Sequence, residues 1–575
     1  MTVTQTETVH ASTETSMEAH VESTVHAGYE PGLPEGLSNF LDSLGSGDHK
    51  DIGRNWVLGS LFMGVAVAVV GLLVGFERLD LGGSQLFQGS QATWQAWTFF
   101  RIGLILLVMV PLFIGLATAV TPLQVGASSI SYPRLAAMAF WTWLVSGSIF
   151  AVAHAIDGGF VVASEDAPVE LAIASLGFMA LAILLASVCI VTTVITQRTV
   201  GMDLGRVPMF SWSMLVAAGL WILSIPVLLA NLVVIWIDHQ GEEKLRYADG
   251  QFLWAQVSWI TDQPQVFLWA LPLLGIAGDI LPVGLTTRPR AYGVAQAAIG
   301  AFGLLSFGAW AQSFFSSGVT TTPVYVLGAL SLALPVVIFI GWLGDSVFRS
   351  GGPKGGKSHS VAAFLAVAIL LLAGAIGFVR VLAPLVGFLR EFPNIDDFQI
   401  TNAVNNLDLT GTSASGAVFA ATVAGGLVGA LAGLWFWAPK IFGTRLVAGL
   451  GGLAALSLAG AGALMGLTDL IAGFFDQPDL AVTGDFEDAV GVLNAVGIAG
   501  RAALLAGLGL GLLAVLGGLV TNNLDDDADV DNANPWGANT LEWATPSPPP
   551  PGNFAAPIPV RSPQPLRDLA QGDVR

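Results

Sequence analysis

The chain has 575 residues, 54% of them hydrophobic and only 11% charged, with a formal net charge of −19. A soluble domain carries about 25% charged residues, so these proportions describe a polytopic helical membrane protein. The acidic balance excludes nucleic-acid binding, which needs a basic face, and the lone Cys189 excludes a disulfide framework or a multi-cysteine metal site.

In chain order, residues 1–47 are Thr-, Glu- and His-rich. They lack the basic start and apolar core of a cleavable signal peptide and are expected to form a disordered tail. Residues 48–521 carry twelve apolar runs. These lie near 55–75, 98–120, 135–155, 170–196, 211–237, 265–287, 291–314, 323–346, 360–388, 415–439, 446–474 and 489–520. Each is long enough to cross about 30 Å of hydrocarbon as a helix. The expected fold is therefore an all-α, twelve-helix membrane bundle. Residues 522–575 form an acidic, then Pro-rich tail. Pro546 and the run Pro548–Pro551 favour extended polyproline structure over a packed domain.

Loop charges set the orientation. Lys50, Arg54, Arg134, Arg198, Arg206, Arg288, Arg290, Arg349, Lys354, Lys357, Lys440 and Arg445 fall in one set of loops. The other set is mainly acidic, with Asp157, Glu165, Glu242, Glu243, Asp262, Asp476, Asp479 and Asp485. Basic loops face the cytoplasm, so both termini are expected there.

Five charges lie within or near the apolar runs: Arg101, Asp279, Arg380, Asp469 and Arg501. A charge at mid-membrane costs roughly 2.5–3.5 kcal/mol or more. These side chains should face inward and pair, either as internal ion pairs or as a pathway or ligand site. The seven histidines avoid the middle of every run. His154 and His239, near Asp157, Asp238, Glu242 and Glu243, could form a zinc or copper site if they met. The simpler reading is exposed loop residues.

Several motifs resemble subunit I of the haem-copper oxidases, specifically the A-type cytochrome c oxidases. They are Asp48–Gly53; Thr121–Ala127 followed by Tyr132–Leu135; Gln263–Phe267 running into Leu271–Ile276 and Ile280–Pro282; Trp310–Phe315; Gly416–Ala420 ending at Pro439-Lys440; and Asn534–Trp543 followed by Ser547–Pro550. They occur in the family's order over about 48–568. The resemblance implies haem and copper cofactors, electron transfer to oxygen with proton pumping, other respiratory oxidase subunits as partners, and the plasma or inner membrane of a prokaryotic cell.

The residues that would carry that chemistry are replaced. Where the family's helix VI has His-Pro-Glu-Val-Tyr, for copper binding, proton relay and oxygen cleavage, this chain has Gln263, Gln265 and Phe267. The helix VII copper-binding His pair reads Gln312-Ser313, and the helix X haem-binding pair falls at Asp408 and Thr410. The helix II haem ligand region reads Phe100-Arg101-Ile102-Gly103. The Arg pair implied to clamp haem propionates would lie near Asp469–Asp476, where no Arg occurs. Imidazole is the usual ligand of haem iron and copper.

The expectation is thus a non-catalytic homologue without haem or copper, acting as a structural or assembly subunit. The alternatives are a transporter or channel reusing emptied cavities, and a working oxidase subunit as the family implies. Phe100, Phe267, Phe314 and Phe315 are expected to fill former haem volume, with Arg101 turned to an acidic or carbonyl partner.

Overall fold

The apolar runs fold as helices because a backbone in hydrocarbon must bond to itself. The computed structural model describes residues 45–79, 86–87, 90–156, 166–241, 250–283, 285, 288–311, 323–350, 357–382, 384–385, 409, 411–479, 488–521 and 533–570. The chain divides into Met1–Ser46 and Gly47–Arg575. The second unit holds the bundle.

Helix α1 (His49–Glu77) opens with the Asp48 side chain accepting from the Lys50 N–H, satisfying a donor that the first turn leaves free. Helices α2 (Ser90–Gly103) and α3 (Val110–Val125) are one rod joined by a π-helical turn, Leu104–Met109. Pro111 has no N–H to continue the regular ladder there. The rod ends at Gly126, φ 77°, in a left-handed conformation that suits glycine. Helices α4 (Pro133–Ala155), α5 (Asp166–Thr196) and α6 (Met209–Gln240) follow. Next come α7 (Gly250–Val257), α8 (Gln265–Ala270), α9 (Pro272–Ile280) and α10 (Tyr292–Ser306). Helices α11 (Pro323–Ser331), α12 (Ala333–Ser350), α13 (Ser358–Arg380), α14 (Ala414–Ile441), α15 (Ala448–Gly473) and α16 (Asp488–Thr521) complete the bundle, and α17 (Pro565–Ala570) is a short helix beyond it.

Among the described residues, eleven helical stretches are long and apolar enough to span a membrane. The twelfth expected span is different. It is the shorter stretch Gln265–Ile280, broken at Pro272, whose missing N–H interrupts the ladder. Its sixteen residues are all buried, so it lies within protein and need not match the lipid thickness.

Two elements form the axis. The membrane-length windows of the α2–α3 rod and of α14 are wholly buried, whereas the other long helices expose about half of theirs. The rod and α14 meet closely: a Cβ on Gly426 would collide with the Met109 sulfur, so a larger residue there must displace that thioether. Helix α16 packs against α1, closing the ring around the axis.

The C-terminal residues 533–570 lie over the helix ends that carry His49, Gln124, Met209, Asp279 and Lys440. They contain a 3-10 turn, Leu541–Ala544, and α17. The Lys440 ammonium donates to the carbonyls of Ala533, Thr545 and Pro546 and to the Thr545 hydroxyl.

Candidate functional site

The helix VI positions are three differently used side chains. The Gln265 carbonyl oxygen accepts from the Gly308 N–H at 2.8 Å, and its amide donates to the Ser224 hydroxyl at 3.3 Å. Gln265 is therefore a strut joining α8 to α6 and to the chain after α10. Phe267 is buried, with the Phe302 ring edge-on at 6.3 Å. Gln263 is buried beside Gly377 of α13, and among the described residues neither of its amide atoms has a hydrogen-bond partner. Gln312, Ser313, Asp408, Thr410, Phe314 and Phe315 lie outside the described residues. Helix α14 begins at Ala414, after positions 408 and 410.

Four of the five intramembrane charges gather at one end of the bundle. Arg101 is 3% exposed. Its guanidinium lies over the Phe419 ring at 4.4 Å and the Trp97 ring at 5.0 Å. Its Nη2 reaches Asp479 at 3.3 Å and Asp262 at 3.5 Å. Arg78, at the end of α1, donates to Asp469 of α15 at 3.0 Å, and both side chains are buried. Arg501 of α16 faces Arg78, Asp469 and Asp479, while Arg380 faces Asp262, Asp479 and Tyr325. Asp479 also accepts from the Ser415 hydroxyl at 2.8 Å, at the start of α14. A negative charge is favoured at that helix N-terminus. Arg78, Asp262 and Asp479 were not among the five intramembrane charges singled out in the sequence. Arg78 immediately follows an apolar run, which is the one local signal for it. The two acids read as loop residues.

Asp279, the fifth charge, sits at the opposite end. Its carboxylate accepts the first-turn N–H groups of Met209 and Phe210 at 2.9 and 3.0 Å and the Gln124 amide at 2.9 Å. The same Gln124 nitrogen reaches Glu542 at 3.2 Å.

His154 and His239 are not exposed loop residues, contrary to expectation: both are buried at helix ends. His154 is shielded by Phe99 and Phe150, with ring centroids at 5.7 and 4.2 Å, and its Nδ1 lies 2.9 Å from the Phe150 carbonyl oxygen. The aromatic packing of the helix end draws it inward. Among the described residues, no three His, Cys, Asp or Glu side chains converge as metal ligands.

Haem iron and copper are usually held by imidazoles, and none of Gln263, Gln265 and Phe267 carries one. A cofactor carrying propionates needs guanidinium or amide donors for them. At the end where the clamp is implied, Arg78 and Arg101 are paired to Asp469 and Asp479, and Arg380 and Arg501 face these acids as well. In the helix II ligand region Phe100 packs its ring against Gly71 of α1. Copper would meet the amide of Gln263 and the bonded amide of Gln265.

A helical bundle with a wholly buried axis and inward-facing charges at each end defines a polytopic α-helical membrane protein. Residues 51–502 match the sequence model of the family described as Cytochrome C and Quinol oxidase polypeptide I, and the chain belongs to that family. It is 30% identical to a putative cytochrome c oxidase subunit 1-beta of Streptomyces coelicolor, covering 92% of this chain and 90% of the relative. It is 26% identical to cytochrome c oxidase subunit 1 of Corynebacterium glutamicum, over 91% and 87% of the two chains. The corresponding protein of Bacillus subtilis is 25% identical over 90% and 81%.

Proposed function

We propose that this chain is a non-catalytic oxidase subunit I homologue, serving as a structural or assembly subunit of a respiratory membrane complex. The observation that carries this reading is the Arg101 site. A cation occupies the helix II region that the resemblance assigns to a haem ligand, and it is paired with the chain's own Asp262 and Asp479. Among the described residues, the guanidiniums of Arg78, Arg101, Arg380 and Arg501 share the carboxylates of Asp262, Asp469 and Asp479 at that end. Fold alone does not carry the family's chemistry once the site residues differ.

A reduced-minus-oxidised optical spectrum, a pyridine haemochrome assay and copper analysis of the purified protein test the reading. The expected result is neither haem nor copper. Near-stoichiometric haem overturns it. Mild purification should bring oxidase-type membrane subunits with the chain, and isolation as a lone chain would overturn the subunit role. The chain is read with both termini cytoplasmic, from the loop charges. A reporter after Arg575 and another in the 238–246 loop should fall on opposite sides of the membrane.

A further inference from the structure

The end of the bundle covered by residues 533–570 holds two buried carboxylates joined by one amide. The Gln124 orientation is fixed by Ser211, whose N–H and hydroxyl both donate to the Gln124 Oε1. An N–H can only donate, so Nε2 must face the acids. Its two protons serve Asp279 on one side and Glu542 on the other.

The two acids are differently served. Both Asp279 oxygens accept N–H donors, two of them from the first turn of α6, where the helix dipole favours an anion. Glu542 takes its three side-chain donors on one oxygen. Its Oε1 accepts from Gln124, from the Trp437 indole at 3.1 Å and from the Thr540 hydroxyl at 2.9 Å. Its Oε2 is buried with no hydrogen-bond partner among the described residues, and the residue is 0% exposed. An ionised Glu542 would leave half its charge on an oxygen with no donor, which is far costlier than an unbonded hydroxyl.

Tyr292 and Lys440 also face the pair, Lys440 through its charge on Glu542. Tyr292 of α10 donates its hydroxyl to the Val207 carbonyl at 3.0 Å. Lys440 of α14 is bound by oxygens of Ala533, Thr545 and Pro546 and makes no ion pair with Glu542 among the described residues. We propose that Glu542 is a proton-binding site, neutral with its proton on Oε2, beside an ionised Asp279, and that this proton holds residues 533–570 on the bundle. Burial, the largest influence, pushes the Glu542 carboxyl up, against the hydrogen bonds of Trp437 and Gln124, which pull it down. A cavity of about 30 Å³ lined by Asp279, Tyr292, Thr540 and Gln564 has room for water on the Asp279 side of the pair.

The sign follows from linkage. The docked state binds a proton that the undocked state releases near the ordinary carboxyl value, so docking is complete in acid and weakens as pH rises. Each unit by which docking raises the carboxyl corresponds to about a tenfold change in the docking equilibrium. The test is hydrogen–deuterium exchange across 533–570 in the full chain, in detergent, from mildly acidic to alkaline pH. Protection of the wild-type segment, corrected for the base-catalysed rise of intrinsic amide exchange, should fall about tenfold or more toward alkali. E542Q mimics the neutral acid and should stay docked with a flat profile. D279N turns an amide N–H toward the Met209 and Phe210 donors and should loosen the segment at every pH. A flat wild-type profile, or E542Q loosening more than D279N, overturns the proposal. If a variant fails to fold, infrared difference spectra of the wild-type protein decide. A protonated carboxyl band that disappears on alkalinisation supports the site, and its absence throughout overturns it.

Discussion

At the residue scale, the Arg78–Asp469 pair shows what internal charge balance demands. Both side chains are buried, and removing one partner leaves the other a buried charge that has lost its ion-pair bond. Arg78→Met should destabilise the protein by about 3–5 kcal/mol, read as lowered thermal stability in detergent. The double variant Arg78→Met/Asp469→Leu should be less destabilised than either single one. A double variant as unstable as the sum of the singles would show that the pair does not act as a unit. Gln265 makes a smaller claim. Gln265→Leu strips the Gly308 N–H of its acceptor and should cost about 1–3 kcal/mol, measured the same way. Gln265→Glu keeps the acceptor for Gly308 and should be tolerated better.

At the element scale, the α3–α14 contact rests on the absence of a side chain at Gly426. Gly426→Val should force the Met109 thioether aside and cost about 1–3 kcal/mol by overpacking, while Gly452→Val, with open space around it, should be nearly silent. Equal losses at the two positions would deny the axis its close approach. The elements themselves were largely legible in the sequence, because an uninterrupted apolar run leaves the backbone little choice but a helix. The stretch expected at 265–287 was the least legible. Apolar length predicts a lipid-spanning rod, but Pro272 breaks this stretch and its burial inside protein removes the need for full length. The charged site was legible only by half. Arg101 and Asp469 stood out as charges in apolar runs, but their partners were set by tertiary proximity, as with Arg101 and Asp262, 161 residues apart. Gln124 and Glu542 lie 418 residues apart, and no local pattern joins them. His154 was misread for a related reason: sequence gives its place at a helix end but not the rings of Phe99 and Phe150 that cover it.

At the scale of the whole molecule, one end is charge-paired across α1, α2, α13, α15 and α16, and the other is tied down by residues 533–570. Arg288 and Asp568 pair at that second end, as do His49 and Asn553, whose amide donates to the His49 Nε2 at 3.0 Å. Asn553 also donates to the Ala127 carbonyl at 2.8 Å. Truncation after residue 532 would leave Lys440 buried without its acceptors. The truncated chain should unfold at markedly lower temperature than the full chain, whereas Arg288→Ala, at a partly exposed pair, should shift it by no more than about 1 kcal/mol. Similar losses for both would mean that the segment contributes only surface contacts.

The buried axis also constrains how the molecule is made. The α2–α3 rod and α14 are apolar enough to enter lipid alone, yet their membrane-length stretches touch none in the finished bundle. Synthesis delivers the rod early and α14 only after α13, and the ring closes when α16 reaches α1. Until then the rod must lie against lipid, or against an insertion factor, along the seam at Met109 that Gly426 later covers. Biogenesis therefore includes a withdrawal step, in which a helix already settled in the bilayer gives up its lipid contacts to the last helices to leave the ribosome.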